Sequence, residues 1–346
     1  MIIKYFKGSL IILLLGVILA VSLVWFQTNS VHLALQAGFT AIILAILEIS
    51  LSFDNAIVNA TVIKKMSPVW QKRFLTWGML IAVFGMRLVF PLLIVGLVAH
   101  IDPITALQLS FTNPTKYAEI MLSAHLSVSS FGGMFLFLVF IHFFINEDKT
   151  THWIVLFEKP LQRMSKIKGI EILLSLIGLV CISLIHEGHD IQTFLVSGLS
   201  GIITYLIVHS IAEWLEDIDM VGSANTVVAT SGFGLFLYLE ILDASFSFDG
   251  VIGAFAITNS LIQIMIGLSI GAFFVRSLTM YFVEQNTLEQ FEYIEHGAFY
   301  ALGALAILML TDSFLHTPEW FTGLVGAAIL VASVFWSIYI DRKRRA

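Results

Sequence analysis

Charge is scarce in this chain. Only 12% of its 346 residues are Asp, Glu, Lys or Arg, 58% are hydrophobic, and the mean hydropathy is +0.93. A soluble protein of this size would need far more charge to cover its surface, so the expected class is an all-α polytopic membrane protein with the bilayer as main solvent. The formal net charge of −6, with no basic-aromatic surface motif, gives no field for nucleic acid. A single cysteine, Cys181, excludes an internal disulfide and a multi-cysteine metal site, and reads as a small core residue. No G-x-x-x-x-G-K-[ST] run is present, which excludes a P-loop ATP-driven pump. A G-x-G-D signature with P-A-L is missing too, so a membrane-embedded acid-dyad hydrolase is disfavoured and no enzyme is expected.

What the chain has in abundance is long apolar runs. Windows able to cross roughly 30 Å of hydrocarbon fall near 8–27, 35–62, 76–99, 129–146, 170–186, 193–212, 231–259, 262–283, 297–314 and 320–340, about ten transmembrane helices. The first run lacks a convincing small-x-small cleavage site and reads as a retained helix. Basic residues collect before the first window (Lys4, Lys7), after the second (Lys64, Lys65, Lys72, Arg73), after the fourth (Lys149, Lys159, Arg163, Lys166, Lys168) and after the tenth (Arg342 to Arg345). The positive-inside rule then puts both termini in the cytoplasm, in a multi-pass protein of the cell inner (plasma) membrane. An acidic loop carrying Glu213, Glu216, Asp217 and Asp219 follows the sixth window, and 100–128 reads as a long external connection, partly helical. The expected division is an N-terminal helix over 1–30, a transporter domain over 31–316, and a final helix with a basic tail over 317–346.

Inside the second window stands EISLSFD, Glu48 to Asp54, and inside the seventh DASFSFD, Asp243 to Asp249. Four of the seven positions are identical, Glu48 answers Asp243, and each phrase is followed by a span with a lone arginine, Arg87 or Arg276. An offset of five spans reverses the direction of crossing, so the expected architecture is an inverted-topology internal repeat, with halves at about 35–146 and 231–314. That plan recurs in transporters, whose sites lie near the midplane where the repeats meet.

Residues at i and i+4 share a helix face, which sets Glu48 over Ser52, Ser50 over Asp54, Asp243 over Ser247 and Ser245 over Asp249. The two acids of one copy lie about 120° apart in projection. They meet only if the helix unwinds, for which Asn55, Asn59, Gly250 and Gly253 give scope, or if both line one cavity. An ionisable residue near the bilayer centre costs at least about 2.5 kcal/mol and normally faces a partner or water. Three arrangements stand open: structural ion pairs with Arg87 and Arg276, a proton relay, or a shell of hard oxygen ligands suited to Mg²⁺, Ca²⁺ or Mn²⁺. The histidines near the spans (His142, His186, His209, His296) read as satisfied interior or interfacial residues, with His296 beside Glu295 the one to watch.

The motif E-x-x-L-S-x-D-N-A (Glu48, Leu51, Ser52, Asp54, Asn55, Ala56) resembles the signature of TerC-type integral membrane proteins. D-x-x-F-S-x-D (Asp243, Phe246, Ser247, Asp249) resembles that family's second signature, and the chain is similar to a longer branch of DUF475 type. The resemblance implies a transporter-like fold related to the lysine-exporter superfamily, with members linked to manganese export, calcium or general metal homeostasis, and tellurite resistance. Carried over by position, Glu48, Asp54, Asn55, Asp243 and Asp249 would be the metal set, with Ser50, Ser52, Ser245, Ser247, Arg87 and Arg276 in support. Gly250 departs from the serine that many members carry after the second Asp. The expected function is divalent-cation export, Mn²⁺ first and Ca²⁺ next, with no resident cofactor. The alternatives are a proton-coupled exporter of a small organic cation or amino acid, and a membrane scaffold delivering metal to exported proteins. The expected partners are the lipid bilayer and the cation, with homo-oligomerisation left open.

Overall fold

The computed structural model describes residues 3–146, 149–186, 188–221, 224–285, 287–315 and 317–345; within them, the side chains of residues 3, 189, 215–221, 224–231, 248–249, 287, 319–320 and 345 lie outside the description. Helices joined by short connections make up the described residues, without strands. Helix α1 is Ile3–Thr28 and α2 is Val31–Leu51; α3, Phe53–Ile63, continues α2 after a one-residue interruption at Ser52. Helix α4 is the continuous run Pro68–Ala99, with π-helical stretches at Phe74–Gly78 and Ile81–Val89. Then come α5 (Pro103–Thr112), α6 (Pro114–Ser123), α7 (His125–Ile145), α8 (Val155–Met164) and α9 (Ile170–Ser183). The chain continues with α10 (His189–Val221), α11 (Ala224–Phe255), α12 (Leu261–Glu284), α13 (Ile294–Leu315) and α14 (Glu319–Arg345).

Among the described residues, eight helices are long and apolar enough to cross a membrane: α1, α2, α4, α7, α10, α12, α13 and α14. The protein is therefore an all-α polytopic membrane protein. Every expected window falls on a helix, but α9 has only 14 residues, and α11 carries Glu240, Asp243 and Asp249 within its apolar stretch. Local chemistry sets the helix starts. Ser30 and Ser260 accept from the N–H of Leu33 and Gln263. Asp102 and Asn113 do the same for α5 and α6, each with proline in the first turn, where a missing N–H costs nothing. The expected connection over 100–128 is thus largely these two short helices.

Two expectations need correction. The acidic stretch after the sixth window is not a loop: the backbone is helical to Val221 and again from Ala224. Glu213 pairs with His209 at 3.2 Å, while the side chains of Glu216, Asp217 and Asp219 lie outside the described residues. Cys181 is exposed on α9, not a core residue; Ser175, Leu179 and Ser183, spaced by four, form the buried face instead. In a bilayer an outward apolar residue costs nothing, so apolarity alone does not point inward.

Helix α1 is built into the bundle against α2 and α12, with Ser9 Oγ bonded to the Phe273 carbonyl at 2.8 Å. Its outward face, with Leu14 63% and Phe26 81% exposed, is clothed for lipid. The two sequence halves pack reciprocally. Helix α3 contacts α12 as α4 contacts α11, α3 contacts α13 as α7 contacts α11, and α7 meets α13 directly. The main apolar core fills the space among α3, α7, α10, α11 and α13.

Candidate functional site

Where α3, α4, α11 and α12 converge lies a cavity of about 40 Å³, lined by Glu48, Ser52, Asn55, Asn59, Arg87, Glu240, Asp243, Arg276 and Thr279 with a few apolar residues. A space of that size suits a water-sized guest. Glu48 is buried at the end of α2, and its Oε1 accepts from Arg87 Nη2 and, at 3.2 Å, from Ser52 Oγ. Arg87 Nη1 donates to the carbonyl of Ala82, in the same π-helical stretch. From the other half, Asp243 Oδ1 accepts from Asn55 Nδ2 at 2.7 Å, and Arg276 donates to the Phe74 carbonyl at 3.3 Å.

Glycine lets the helices bring these acids so close. A Cβ at Gly250 would lie 2.9 Å from Glu48 Oε2, and one at Gly78 would lie 2.6 Å from Glu240 Oε1. Gly250, the departure from the TerC-type pattern, therefore makes room for the Glu48 carboxylate. No unwinding occurs there, since α11 runs unbroken through Gly250 and Gly253 to Phe255. The first copy breaks only at Ser52, whose backbone sits at φ −104° and ψ 16°.

Several polar atoms in the cavity wall lack partners. Asn55 Oδ1, Asn59 Oδ1 and Glu240 Oε1 are buried acceptors with no donor, and Arg87 Nε is a buried donor with no acceptor. An unmatched buried polar atom costs about 1–3 kcal/mol, so three acceptors facing one small space point to an electropositive guest.

The expected metal set does not gather at one point. Glu48, Asn55 and Asp243 share the cavity with Arg87, Arg276 and Ser52. Asp54 faces the opposite side of α3, in a separate recess of about 10 Å³ with Ser50, Thr322, Gly323 and Gly326. The six-residue separation places Glu48 and Asp54 on different faces, and the break at Ser52 does not bring them together. Ser245 Oγ bonds back to the Ile241 carbonyl at 3.0 Å, and Ser247 Oγ is buried without a partner; neither lines the cavity. The side chain of Asp249 lies outside the described residues. Among the described residues, no group of three or more His, Cys, Asp or Glu side chains is arranged to hold a metal ion.

Glu240 and Asn59 complete the cavity and were not singled out as site residues from sequence. Their spacing carried the signal: Glu240 lies three residues before Asp243, and Asn59 four after Asn55, so each shares a face with a named residue.

Farther along α3 and α11, these two helices together with α7, α10 and α13 line a larger vestibule of about 430 Å³, including Thr61, Lys65, His142, His209, Tyr238 and Glu295. On the opposite side of the cavity, buried Leu44, Tyr117, Met121, Val251, Phe255 and Leu268 form an apolar block. His296, the histidine to watch, belongs to neither acid pair: its Nε2 lies 2.9 Å from the Thr151 carbonyl and 3.6 Å from Glu158.

Residues 53–344 match the model of one family, described as protein of unknown function (DUF475). The chain belongs to the DUF475 family. No curated protein and no solved structure matches it. For this DUF475 protein, the family match spans both halves of the cavity wall, from Asn55 to Arg276, but begins after Glu48.

Proposed function

We propose that this DUF475 protein is a membrane transporter for a small divalent cation, with Mn²⁺ export the leading case, and not an enzyme. The observation that carries the reading is the set of three unpartnered acceptor oxygens, Asn55 Oδ1, Asn59 Oδ1 and Glu240 Oε1, around one buried cavity that also holds Glu48 and Asp243. Carboxylate and amide oxygens are hard ligands, the type that takes Mn²⁺, Mg²⁺ or Ca²⁺ in preference to thiophilic metals. The TerC-type motifs around Glu48 and Asp243 support the same class. A cation enters from the vestibule along α3 and α11 and meets the cavity oxygens. The apolar block on the far side keeps the path closed there, as alternating access requires. Arg87 holds Glu48 while the cation is away. Three acids and two guanidiniums line the cavity, so an arriving divalent ion competes with Arg87 for Glu48.

Purified protein in liposomes, loaded and assayed with Mn²⁺, Ca²⁺, Mg²⁺ and Zn²⁺ with and without a pH gradient, tests the proposal. Wild type carries Mn²⁺ or Ca²⁺, and Asp243→Asn and Glu240→Gln each lower that flux by at least about tenfold, the effect of 1.4 kcal/mol. Wild-type liposomes that pass no divalent ion, or variants that transport as well as wild type, would overturn it. A second reading, proton-coupled export of an organic cation or amino acid, gains from the two guanidiniums on the cavity wall. It requires flux driven by the pH gradient and indifferent to divalent ions. The small cavity volume favours the ion.

A further inference from the structure

Among the described residues the buried methionines are Met66, Met79, Met121, Met134 and Met309. Met66, Met134 and Met309 are packed in the main apolar core, and Met121 in the apolar block beside the cavity. Met79 belongs to no apolar core among the described residues, although only 8% of it is exposed. It lines the polar cavity instead, and among the described residues it is the one sulfur-bearing side chain there. A methionine placed only to fill space belongs among apolar neighbours, as the other four are.

The backbone of α4 explains how Met79 reaches this wall. It follows directly on the π-helical stretch Phe74–Gly78. Residues i and i+5 are bonded in a π turn, so Met79 comes one such turn after Phe74, and both line the cavity. In an α-helix a five-residue step would rotate the second side chain by about 140° from the first. Gly78, the residue before Met79, is where Glu240 Oε1 comes to rest, and that oxygen is one of the unpartnered acceptors.

Oxygen ligands alone separate Mn²⁺, Ca²⁺ and Mg²⁺ poorly, because all three accept carboxylate and amide oxygens. A thioether discriminates among them. Its polarizable sulfur gives little to Ca²⁺ or Mg²⁺ and more to a transition-metal ion. The unbranched side chain, with three rotatable bonds, can turn that sulfur toward a guest without moving the backbone.

We propose that Met79 is the specificity-determining residue of the cavity, a thioether that favours divalent transition-metal ions over Ca²⁺ and Mg²⁺. This role rests on the cavity's taking a cation, as proposed above, but not on the ion's being carried across the membrane.

The test is equilibrium binding to the full-length protein in detergent, with free Mn²⁺ read by electron paramagnetic resonance and Ca²⁺ or Mg²⁺ added as competitor. Wild type binds Mn²⁺ and releases it only to a large excess of either competitor. Met79→Leu, a near volume-conserving change, weakens Mn²⁺ binding by about tenfold, the equivalent of about 1.4 kcal/mol, and leaves Ca²⁺ unchanged. Met79→Gln supplies a hard amide oxygen and narrows the preference further by strengthening Ca²⁺. Asp243→Asn weakens both ions together, which places the bound ion in the cavity. Helical circular dichroism and a monodisperse elution profile confirm that each variant is folded. Equal affinity of wild type for Mn²⁺ and Ca²⁺, or a wild-type ratio in Met79→Leu, would overturn the assignment and leave the cation site standing. A wild type that binds no Mn²⁺ would overturn both. The expected ratios without flux in liposomes would support Met79 and refute transport alone.

Discussion

Arg87→Gln is the most informative single change in the structure. Arg87 and Glu48 are 3% and 2% exposed, and the guanidinium is the only cation bonded to the Glu48 carboxylate among the described residues. Removing one member of a buried ion pair strands the other charge, at a typical cost of about 3–5 kcal/mol. After the substitution Glu48 keeps one short-range donor, Ser52 Oγ at 3.2 Å, a neutral bond worth about 1 kcal/mol. A net loss of about 2–4 kcal/mol follows, which at roughly 2 °C per kcal/mol for a long chain lowers Tm by about 4–8 °C. Glu48→Gln in the same background removes the stranded charge and returns more than half of the loss. Thermal unfolding of wild type, both single variants and the double variant in one detergent completes the cycle. Equal Tm values for Arg87→Gln and the double variant would show that Arg87→Gln strands no charge on Glu48, and the account of Glu48 would fail.

Three further outcomes follow from packing and charge. Gly271→Ala places a methyl group against Glu48 Cβ at the α2–α12 contact, and the strain of overpacking lowers stability by about 1–3 kcal/mol; an unchanged Tm would mean the two helices are not closely apposed. Burial alone would raise the Glu158 carboxyl, but the Ile154 N–H, Lys149, His296 and the Tyr300 hydroxyl outweigh it and hold the group below its ordinary value. A folded-state pKa below the unfolded one contributes stability above the ordinary carboxylate range and loses it as pH falls through the depressed value. Protection of the 153–158 amides against hydrogen exchange, relative to their intrinsic rate at each pH, should therefore be high at neutral pH and fall only in acid, and low protection at pH 7 would refute this account of Glu158. Glu158→Gln removes the anion that holds Lys149, an amine that burial already pushes down to about 8. Exchange of the same amides then quickens at neutral pH, while α10 and α11 are unaffected.

Much of the fold was legible because a bilayer accepts few solutions: long apolar runs must be helices, and their spacing marks the ends. The i, i+4 rule foresaw Ser52 on Glu48 and Ser50 beside Asp54, as the two recesses show. It could not say which face of α3 meets the other half, so it left open whether Glu48 and Asp54, about 120° apart in projection, line one cavity; they line two. Glu240 was overlooked because the repeated phrase begins at Asp243, and attention to the repeat hid a residue one turn earlier on the same face. The inward turn of Glu158 had no sequence signal at all. Its partners Tyr300 and Lys149 are set by tertiary packing, and a lone acid among five cations reads as solvated until its environment is known.

The two π-helical stretches of α4 bear on how such a helix could have arisen. A π turn holds one residue more than an α turn, so each stretch accommodates a one-residue insertion while Pro68–Arg73 and Phe90–Ala99 keep their facing. The extra residue loosens the carbonyl ladder locally, and the carbonyls of Phe74 and Ala82 are the ones to which Arg276 and Arg87 donate. Excising one residue from each stretch would yield an uninterrupted α-helix of the same outward orientation, with those carbonyls closed into its ladder. Both guanidiniums would then lose their main-chain anchor in one step, leaving a longer-ranging, less directed pair of positive charges in the bundle.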